Sequence, residues 1–436
     1  MTDCSTRSAS FSSLKSKKVE SNFCGGEITS DGGALLIREI DRKLGLTKEV
    51  ATVIPDPRNR AYTTHSILQM VRQRIYGIAL GYEDLNDHDS LCYDGVIQSA
   101  VGVEQKLASS PTLCRFESFA NRESAVGINR LFVEQFIASY KIPPDEIILD
   151  FDATDLPIHG NQEGKAYHGY YRSHCFLPLH VFCKDQLLIS YLRRSNQDQA
   201  KHAWAILSLL VKRIRKSWPK CKIQFRADSG FCRQKILNWC DRNGIDYIVG
   251  IGGNSRLKSH LSAEIKEAEC KFNESKEKQR IFKKIKYGAK TWPYQRTVIC
   301  KAEHTAKGSN PRFVVTSLSS GAQEIYDNVY CGRGEMENRI KEQLLLFSDR
   351  TSAHKWWTNQ MRLLLSGLAY ILLERLRSIA LKGTVLAQSQ VNTIRIRLLK
   401  IGGIIVRNSR RIKLYLSEYF PLKETFFQIA HQLSIS

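Results

Sequence analysis

The sequence predicts an α/β fold built on a mixed sheet, with a helical region in front of it. The first observation is a change of pattern at Pro143-Pro144, since the segments before it have helical patterns and those after it have strand patterns. The second is a run of three consecutive strand patterns that starts at residue 147. The third is an alternation of helices and strands that continues to residue 251. A strand meander followed by such alternation is typical of a mixed sheet in a layered fold.

Each predicted element rests on a local pattern. The turn-forming segment 29–33 precedes a helical pattern, as a cap precedes a helix. Lys184-Asp185 separates two strand patterns as a hairpin turn does. The predicted elements are, in order, helices 34–40 and 64–78, strands 147–152, 176–183 and 186–193, helix 200–216, strand 222–228, helix 232–243, strand 246–251, hairpin strands 281–287 and 297–302, strand 313–317, helices 337–347 and 355–377, and strands 394–399, 404–407 and 412–416.

The length of 436 residues predicts two or three domains. The first twenty residues are rich in Ser, Thr and Lys and poor in large apolar groups, which favours a disordered tail. The segment 252–311 is highly charged and reads as an insertion into the sheet region. The predicted division is a disordered basic tail at 1–20, a helical domain at 21–144, a core with the mixed sheet at 145–251 and 312–378, a β-rich insertion at 252–311, and a small basic α+β region at 379–436.

The chain is strongly basic, with 65 Lys and Arg against 43 Asp and Glu and a net charge of +22. Such an excess favours a polyanionic partner, because Lys and Arg that neutralise phosphates release condensed counterions. Double-stranded DNA is therefore the expected partner. The alternative is a basic protein without a nucleic-acid role.

The composition also bears on the compartment. None of the 12 cysteines forms a CxxC pair, and residues 1–20 lack the apolar stretch of a signal peptide. A reducing cytosol with free thiols accounts for both. The longest apolar stretch, 363–373, is too short to span a bilayer, so no membrane partner is expected.

Three carboxylates stand out by their positions. Asp152 and Asp228 each end an apolar strand pattern, and Glu337 lies in a segment that reads as the start of a helix. Two strand-end aspartates and one helical glutamate can converge on a pair of divalent metal ions, which is the arrangement that two-metal phosphoryl transfer needs. Magnesium prefers such oxygen ligands. The alternative is that these are ordinary strand-end and helix-start acids.

The contexts of the three acids resemble those of bacterial insertion-sequence DDE transposases. Asp152-Ala153-Thr154 matches the Asp-x-Thr motif at their first aspartate, and Asp228-Ser229-Gly230-Phe231 matches Asp-x-Gly-Tyr/Phe at the second. Tyr330, Arg333 and Glu337 match the signature Tyr-x2-Arg-x3-Glu-x6-Lys. The order of the motifs and the insertion before the glutamate also agree, and the resemblance covers most of the chain.

The resemblance implies an RNase H-like catalytic core at 145–251 and 312–378 with two Mg²⁺ ions, for which Mn²⁺ can substitute, held by Asp152, Asp228 and Glu337. It also implies that the helical domain at 21–144 binds DNA and that the protein acts in a bacterial cytoplasm. It implies an enzyme that binds the terminal inverted repeats of its own element, cleaves the DNA and joins the ends to target DNA. Enzymes of this type act as a homodimer in a synaptic complex, and several pass through a DNA hairpin.

One position departs from the signature. Its lysine is expected at 344, where this chain has Leu344. Lys341 lies on the same helical stripe as Glu337 and can supply a positive charge there. Either Lys341 substitutes, or the phosphate contact is lost. Asp150 lies on the same strand face as Asp152, and we expect it to support the site or cap a neighbouring group.

Further candidates for DNA contact are weighed against structural roles. Arg333 is expected to hold a phosphate near the metal ions, or else to pair with Glu337 one turn away. Tyr330 is either a hydrogen-bonding group for DNA or a core tyrosine. Trp292 is either a stacking platform for a flipped base or part of a small hydrophobic core. The basic residues of 395–413 either grip phosphates or form a solvated strand face.

A cluster of histidines and cysteines at 159–183 fits no common zinc spacing, so a zinc site is not favoured. Two rival functions remain open. One is a structure-specific nuclease on the same fold, which cuts DNA but does not transfer strands. The other is an inactive DNA-binding descendant that acts as a repressor.

Overall fold

The computed structural model describes residues 7–434 of the chain. The chain folds into two compact units. The first combines Met1–Ala120 with Leu345–Phe347 and Leu368–Ser436, and the second combines Asn121–Leu344 with Ser348–Gly367. This grouping differs from the predicted division, because residues 379–436 fall in the same unit as the N-terminal helices. In the described part of the chain, no helix is both long and apolar enough to cross a membrane.

The N-terminal part of the first unit is mainly helical. An exposed hairpin occupies residues 9–21, where the sequence predicted a disordered tail; residues 1–6 of that tail lie outside the described residues. Its alternating pattern supports a two-stranded ladder, although no side chain of the hairpin is buried. The elements are β1 (Ala9–Leu14), β2 (Lys17–Ser21), β3 (Glu27–Thr29), α1 (Ala34–Leu44), α2 (Leu46–Val53), α3 (Ile67–Leu80), α4 (His88–Leu91), α5 (Gly95–Val101) and α6 (Ser110–Glu117).

The second unit holds the large sheet. Consecutive strands occupy residues 146–191, and helices and strands then alternate from residue 203 to residue 251, as the sequence predicted. The elements are α7 (Arg122–Ala138), β4 (Glu146–Ala153), β5 (Leu156–Pro157), β6 (Ala166–His168), β7 (Ser173–Phe176), β8 (Leu179–Cys183), β9 (Gln186–Tyr191), α8 (Ala203–Ser217), β10 (Lys222–Ala227), α9 (Gln234–Asn243), β11 (Asp246–Ile251), α10 (Ser255–His260), α11 (Ser262–Ser275), β12 (Gln279–Tyr287), β13 (Arg296–Thr305), β14 (Gly308–Ser309), β15 (Arg312–Thr316), α12 (Ala322–Glu324) and α13 (Gly334–Leu344).

The remaining elements complete the first unit. Helix α14 (Trp356–Ala380) belongs to the first unit from Leu368 on. It is followed by α15 (Val391–Ile394), β16 (Gly403–Arg407), β17 (Ile412–Leu416) and α16 (Lys423–Ser434). Strand β16 pairs with both β17 and β3 in a three-stranded antiparallel sheet.

The predicted strand at 394–399 is wrong, because Arg395–Leu399 form a π-helix. The alternation of Arg with apolar residues there is also compatible with a helix that has a polar side. Arg395 is buried and donates hydrogen bonds to the carbonyl oxygens of Ile78, Ala79 and Leu345. This arginine therefore stabilises the first unit and is not exposed to grip a phosphate.

The mixed sheet of the second unit contains nine strands. Eight follow the order β12-β13-β15-β11-β10-β4-β8-β9, and β14 pairs with β13. Strands β4, β8 and β9 form an antiparallel meander, while β10 and β11 continue the sheet from β4 in parallel. The hairpin β12–β13 of the predicted insertion pairs with β15, so it extends this sheet and does not form a sheet of its own.

Strands β4 and β10 lie side by side in the middle of the sheet and have two different faces. On one face, Leu149 and Phe151 of β4 and Phe225 of β10 join a large hydrophobic core with α8 and α9. Because side chains alternate along a strand, the other face of each strand carries its polar residues. These polar residues are Asp150 and Asp152 on β4, and Gln224 and Arg226 on β10. The alternation thus fixes which side chains face the candidate site.

Candidate active site

The two aspartates of the predicted site lie at the ends of two adjacent parallel strands. Phe151 of β4 is paired in register with Ala227 of β10, so Asp152 and Asp228 occupy the next position on each strand. The carboxyl ends of parallel strands meet at one edge of a sheet, which is where open α/β sheets bind ligands. The structure therefore brings these two predicted residues together.

The carboxylate of Asp228 is oriented by its own turn. It caps the short 3₁₀ helix Ser229–Phe231, and its Oδ1 accepts a hydrogen bond from the Gly230 N–H at 2.9 Å. Its Oδ2 accepts a hydrogen bond from Gln199 Nε2 at 3.2 Å. The Asp-x-Gly motif has glycine at position 230 because a Cβ there would clash with the amide group of Gln199.

Arg333 joins the third acid to the first. Glu337 lies in the first turn of α13, and its Oε1 accepts a hydrogen bond from Arg333 Nη2 at 2.7 Å. The same guanidinium donates from Nη1 to Asp152 Oδ2 at 2.9 Å. Both expected roles of Arg333 involve the site, and in this structure it pairs with two of the three acids.

The charge balance around Asp152 is negative. Its carboxyl pKa is raised to about 6, mainly by burial. Arg333 opposes this shift, while the nearby charges of Asp228 and Glu337 add to it. Arg333 thus pairs with two of three neighbouring carboxylates, and the ionised form of Asp152 is disfavoured until more positive charge arrives.

Asp150 lies two residues before Asp152 on β4 and pairs with a side chain of the neighbouring strand β10. Arg226, its register partner on β10, forms a bidentate ion pair with it, and both side chains are buried. Arg226 also donates to the carbonyl oxygen of Val329, and its guanidinium lies against Gly332. The pair therefore holds the segment that leads into α13 against the sheet, which is the supporting role expected for Asp150.

Tyr330 ends the π-helix Ile325–Tyr330 beside the aspartates. A Cβ built on Gly250 of β11 would lie 2.7 Å from the Tyr330 hydroxyl oxygen and 2.9 Å from the Ser229 nitrogen. Burial raises the pKa of Tyr330, Arg333 lowers it, and the charge of Asp228 is among the further causes that raise it. Gly250 therefore allows the tyrosine to approach the turn that holds Asp228.

Lys341 and Leu344 both lie on α13 and are exposed. Among the described residues, Lys341 has no ion-pair partner. Leu344 is the last residue of the helix, where the signature has a lysine.

Trp292 is half-buried and packs on the large hydrophobic core. Its ring meets Tyr287 edge to face at 5.9 Å, and the guanidinium of Arg296 lies 5.3 Å from its centroid. These contacts are those of a core aromatic residue. The stacking role remains a prediction.

The histidine and cysteine cluster is dispersed over separate environments. His180 is fully buried and lies beside the Ser190 hydroxyl, and Cys175 and Cys183 are buried in apolar surroundings. Within residues 7–434, no group of three or more His, Cys, Asp or Glu side chains is arranged to hold a metal ion, and this includes Asp152, Asp228 and Glu337.

Comparison with known families identifies the chain. The model of the family described as "Transposase DDE domain group 1" matches residues 11–435. The chain belongs to this family of DDE transposases. It is also similar to a chain in the cryo-EM structure of the piggyBac transposase synaptic complex with hairpin DNA, at 12% identity over 85% of this chain and 80% of that chain, with a TM-score of 0.42. A search of curated proteins found no match.

The acids of this transposase suit a hard divalent cation. Asp152, Asp228 and Glu337 offer only oxygen donors, the type that Mg²⁺ prefers. The raised pKa of Asp152 reflects burial together with an excess of negative charge, which a cation relieves. Arg333 now holds one oxygen of Asp152 and one of Glu337, so these carboxylates are gathered around a guanidinium.

Three residues of the transposase site were missed by sequence reasoning. Gln199 orients Asp228, Arg226 pairs with Asp150, and Arg193 lies behind the loop that carries Gln199. The signal for Arg226 is a charge inside the apolar run Ile223–Ala227, in register with an aspartate inside a neighbouring apolar run. Gln199 and Arg193 lie in an ordinary polar context and gave no comparable signal.

Proposed function

We propose that this transposase binds the terminal inverted repeats of an insertion sequence, cleaves the DNA at those ends and joins them to target DNA. The observation that carries the proposal is the meeting of Asp152, Asp228 and Glu337, from two parallel strands and one helix, around Arg333. The net charge of +22 favours DNA as the substrate.

The sheet supports the proposal of an RNase H-like core. A three-stranded antiparallel meander, β4-β8-β9, is extended by β10 and β11 parallel to its first strand. Its first strand and the adjacent parallel strand carry the two aspartates. The glutamate follows on a helix after the remaining strands, in the order that the motifs predict.

Divalent cations, Mg²⁺ or Mn²⁺, complete the proposed site, held by Asp152, Asp228 and Glu337. When bound, a pair of such ions activates an attacking oxygen and stabilises the leaving oxygen. The chain's own part would be to position the carboxylates; the strand register that sets Asp152 beside Asp228 and the turn that orients Asp228 support this proposal.

Arg333 is proposed to change partners when DNA binds. Its guanidinium is a planar fork that suits a phosphate as well as a carboxylate. With metal ions held by Asp152 and Glu337, a backbone phosphate would be the better partner for Arg333. Tyr330 and Lys341 are proposed to contact the same strand, and Trp292 remains a candidate for base stacking.

The assembly follows from the family resemblance. We propose that the protein acts in the bacterial cytoplasm as a homodimer that pairs two element ends in a synaptic complex. Target DNA is the second substrate, since the freed 3′-hydroxyl must attack a phosphodiester either across the duplex or in a target.

The function is tested by incubating a labelled duplex that carries the element's own end with Mg²⁺ and the wild-type protein or Asp228→Asn. The end sequence is read from the DNA that flanks the coding region. Wild type is expected to nick at the end boundary and Asp228→Asn is not. Asp246→Asn is a matched control, because Asp246 lies at the opposite end of the neighbouring strand β11.

The products separate the proposal from its rivals. Nicking without strand transfer identifies a structure-specific nuclease. Tight binding of the end without nicking, in Mg²⁺ or Mn²⁺, identifies a DNA-binding repressor. Leu344 in place of the signature lysine is the feature that favours this second rival, and Leu344→Lys then becomes the variant to examine for restored cleavage.

A further inference from the structure

A cavity of about 390 Å³ lies in the second unit beside the loop that follows β9. It is lined by basic, aromatic and polar residues from the end of β9, the following loop and the start of α14, and by Glu163 and Gly164. Its volume falls in the range of small-ligand sites. None of the residues assigned to the catalytic triad lines it.

Arg193 provides a buried charge in this cavity. The residue is 3% exposed, and its guanidinium donates to the carbonyl oxygens of Leu177, Gln199 and Lys201. Its Nη2 is buried and has no hydrogen-bond partner, and among residues 7–434 no carboxylate pairs with it. Burial lowers the pKa of Arg193 to about 10, so the group is still cationic at neutral pH.

An uncompensated buried cation is unusual, because removing a charge from water costs several kcal/mol unless a partner repays it. The charge of Asp198 offsets this cost only in part, since the pKa of Arg193 stays lowered. Asp198 is itself paired with Arg233, and the Glu163 carboxylate accepts a hydrogen bond from the Trp356 N–H at 2.9 Å. The positive charge of Arg193 therefore favours an anion from outside the chain.

The other walls of the cavity suit an anion. Arg194 and His202 add cationic or donor groups, and Arg194 has no side-chain partner among the described residues. Trp356 and Tyr191 form apolar walls; the Trp356 ring packs on Phe176 and covers Gly164, where a Cβ would lie 2.5 Å from the ring. Low-polarity walls strengthen the attraction of Arg193 for an anion.

One residue connects the cavity to the acid site. The carbonyl oxygen of Gln199 accepts a hydrogen bond from Arg193 Nη1 at 2.7 Å, and its side-chain amide donates to Asp228 at 3.2 Å. Only Gln199 therefore separates an anion bound at Arg193 from the carboxylate of Asp228. A strand bound at the acids thus has a second anion site close to the one where it reacts.

We propose that this cavity binds a backbone phosphate of the DNA strand held at the acid site, with Arg193 as its buried anchor and Arg194 at its entrance. The proposal rests on the proposed function for the identity of the ligand as DNA. The contact positions the strand and carries no base specificity, as contacts to phosphate generally do.

The first test uses inorganic phosphate alone and needs no DNA. Thermal unfolding of the wild-type protein is followed as phosphate is added, against chloride at equal ionic strength. Phosphate is expected to raise the Tm beyond chloride, since a ligand that binds only the folded state stabilises it. Arg193→Gln and Arg194→Glu are expected to weaken the apparent phosphate affinity at least tenfold. Lys212→Glu, an exposed residue of α8, is the control with the same change of charge as Arg194→Glu.

A wild type with no response beyond chloride overturns the proposal, and so does an unchanged response in both variants. If Arg193→Gln fails to fold after losing three carbonyl contacts, Arg194→Glu decides alone, because Arg194 is exposed.

The second test uses the end duplex. Removing one phosphate contact lowers the slope of log K against log salt by about 0.9. Arg193→Gln is expected to show this decrease, and Lys212→Gln is not. Wild-type cleavage with an unchanged slope in Arg193→Gln overturns the cavity proposal alone. A wild type that neither binds nor cleaves DNA overturns the proposed function, whatever its response to inorganic phosphate.

Discussion

Asp150 and Asp152 lie two residues apart on the same face of β4, and each meets an arginine, yet the two regions differ. Asp150 has Arg226 to itself in a bidentate pair that is buried on both sides. Asp152 shares Arg333 with Glu337 and also faces the charge of Asp228. An aspartate and an arginine thus form a pair with balanced charge at position 150, whereas at position 152 the same residue types form a cluster with excess negative charge.

The difference indicates which position supports the fold and which carries chemistry. In the buried pair of Asp150 and Arg226, the two charges balance and neither group is left to bind a ligand. Arg226 also donates a hydrogen bond to the carbonyl oxygen of Val329. An excess of carboxylates at a strand end invites a cation. The comparison leads to three predictions, in order of decreasing effect on stability.

The largest expected effect comes from Arg226→Met. It leaves the Asp150 carboxylate buried without its partner, which costs about 3–5 kcal/mol of unfolding free energy. Urea unfolding monitored by circular dichroism measures the change. The double variant Asp150→Leu/Arg226→Met is expected to regain most of the loss, because an apolar pair of similar volume leaves no charge uncompensated. Equal losses in the single and double variants would show that the ion pair is not the source.

The second prediction concerns pH. The folded-state pKa of Asp152 is about 6, above its unfolded value near 3.9, so the folded state binds more protons between these values. Without divalent ions, stability is therefore expected to fall as the pH rises from about 4 to above 6, by at most about 3 kcal/mol. Asp152→Asn removes the titrating group, so its advantage in Tm over wild type should grow with pH across this window. A constant difference between the two proteins would contradict the assigned pKa.

The smallest effect on stability is expected for Glu337→Gln. Glu337 is 48% exposed, and its pair with Arg333 spans one helical turn, so its loss changes stability by only a few tenths of a kcal/mol. The same variant is expected to lose cleavage of the end duplex. Thermal unfolding and the nicking assay are compared on one preparation. A large loss of stability would place Glu337 with Asp150 among the supporting residues.

Much of the site could be predicted because it depends on short-range patterns. Asp152 and Asp228 follow apolar strand patterns, and the parallel pairing of β4 and β10 brings such strand ends together. Glu337 follows a turn into a helix that the sequence also indicates.

The parts that failed depend on burial and pairing, which one sequence does not specify. The segment 394–399 alternates like a strand, but Arg395 is buried and satisfies three carbonyl groups as part of a π-helix. The hairpin within the predicted insertion 252–311 extends the main sheet, which the sequence did not show, because its pairing with β15 depends on a strand that comes later in the chain. Arg193 looks like any surface arginine until its environment is known.

The most direct test compares Asp150→Asn with Asp152→Asn in the nicking assay, with rates expressed per folded protein. Substituting groups that merely support metal ligands costs about 10–100-fold. Asp152→Asn is therefore expected to lose more than about 100-fold at unchanged or higher Tm. Asp150→Asn should lose stability and, once corrected for folding, should lose less than about 100-fold in rate. Full loss of cleavage in a well-folded Asp150→Asn, with activity kept in Asp152→Asn, would contradict the assignment of the catalytic aspartate.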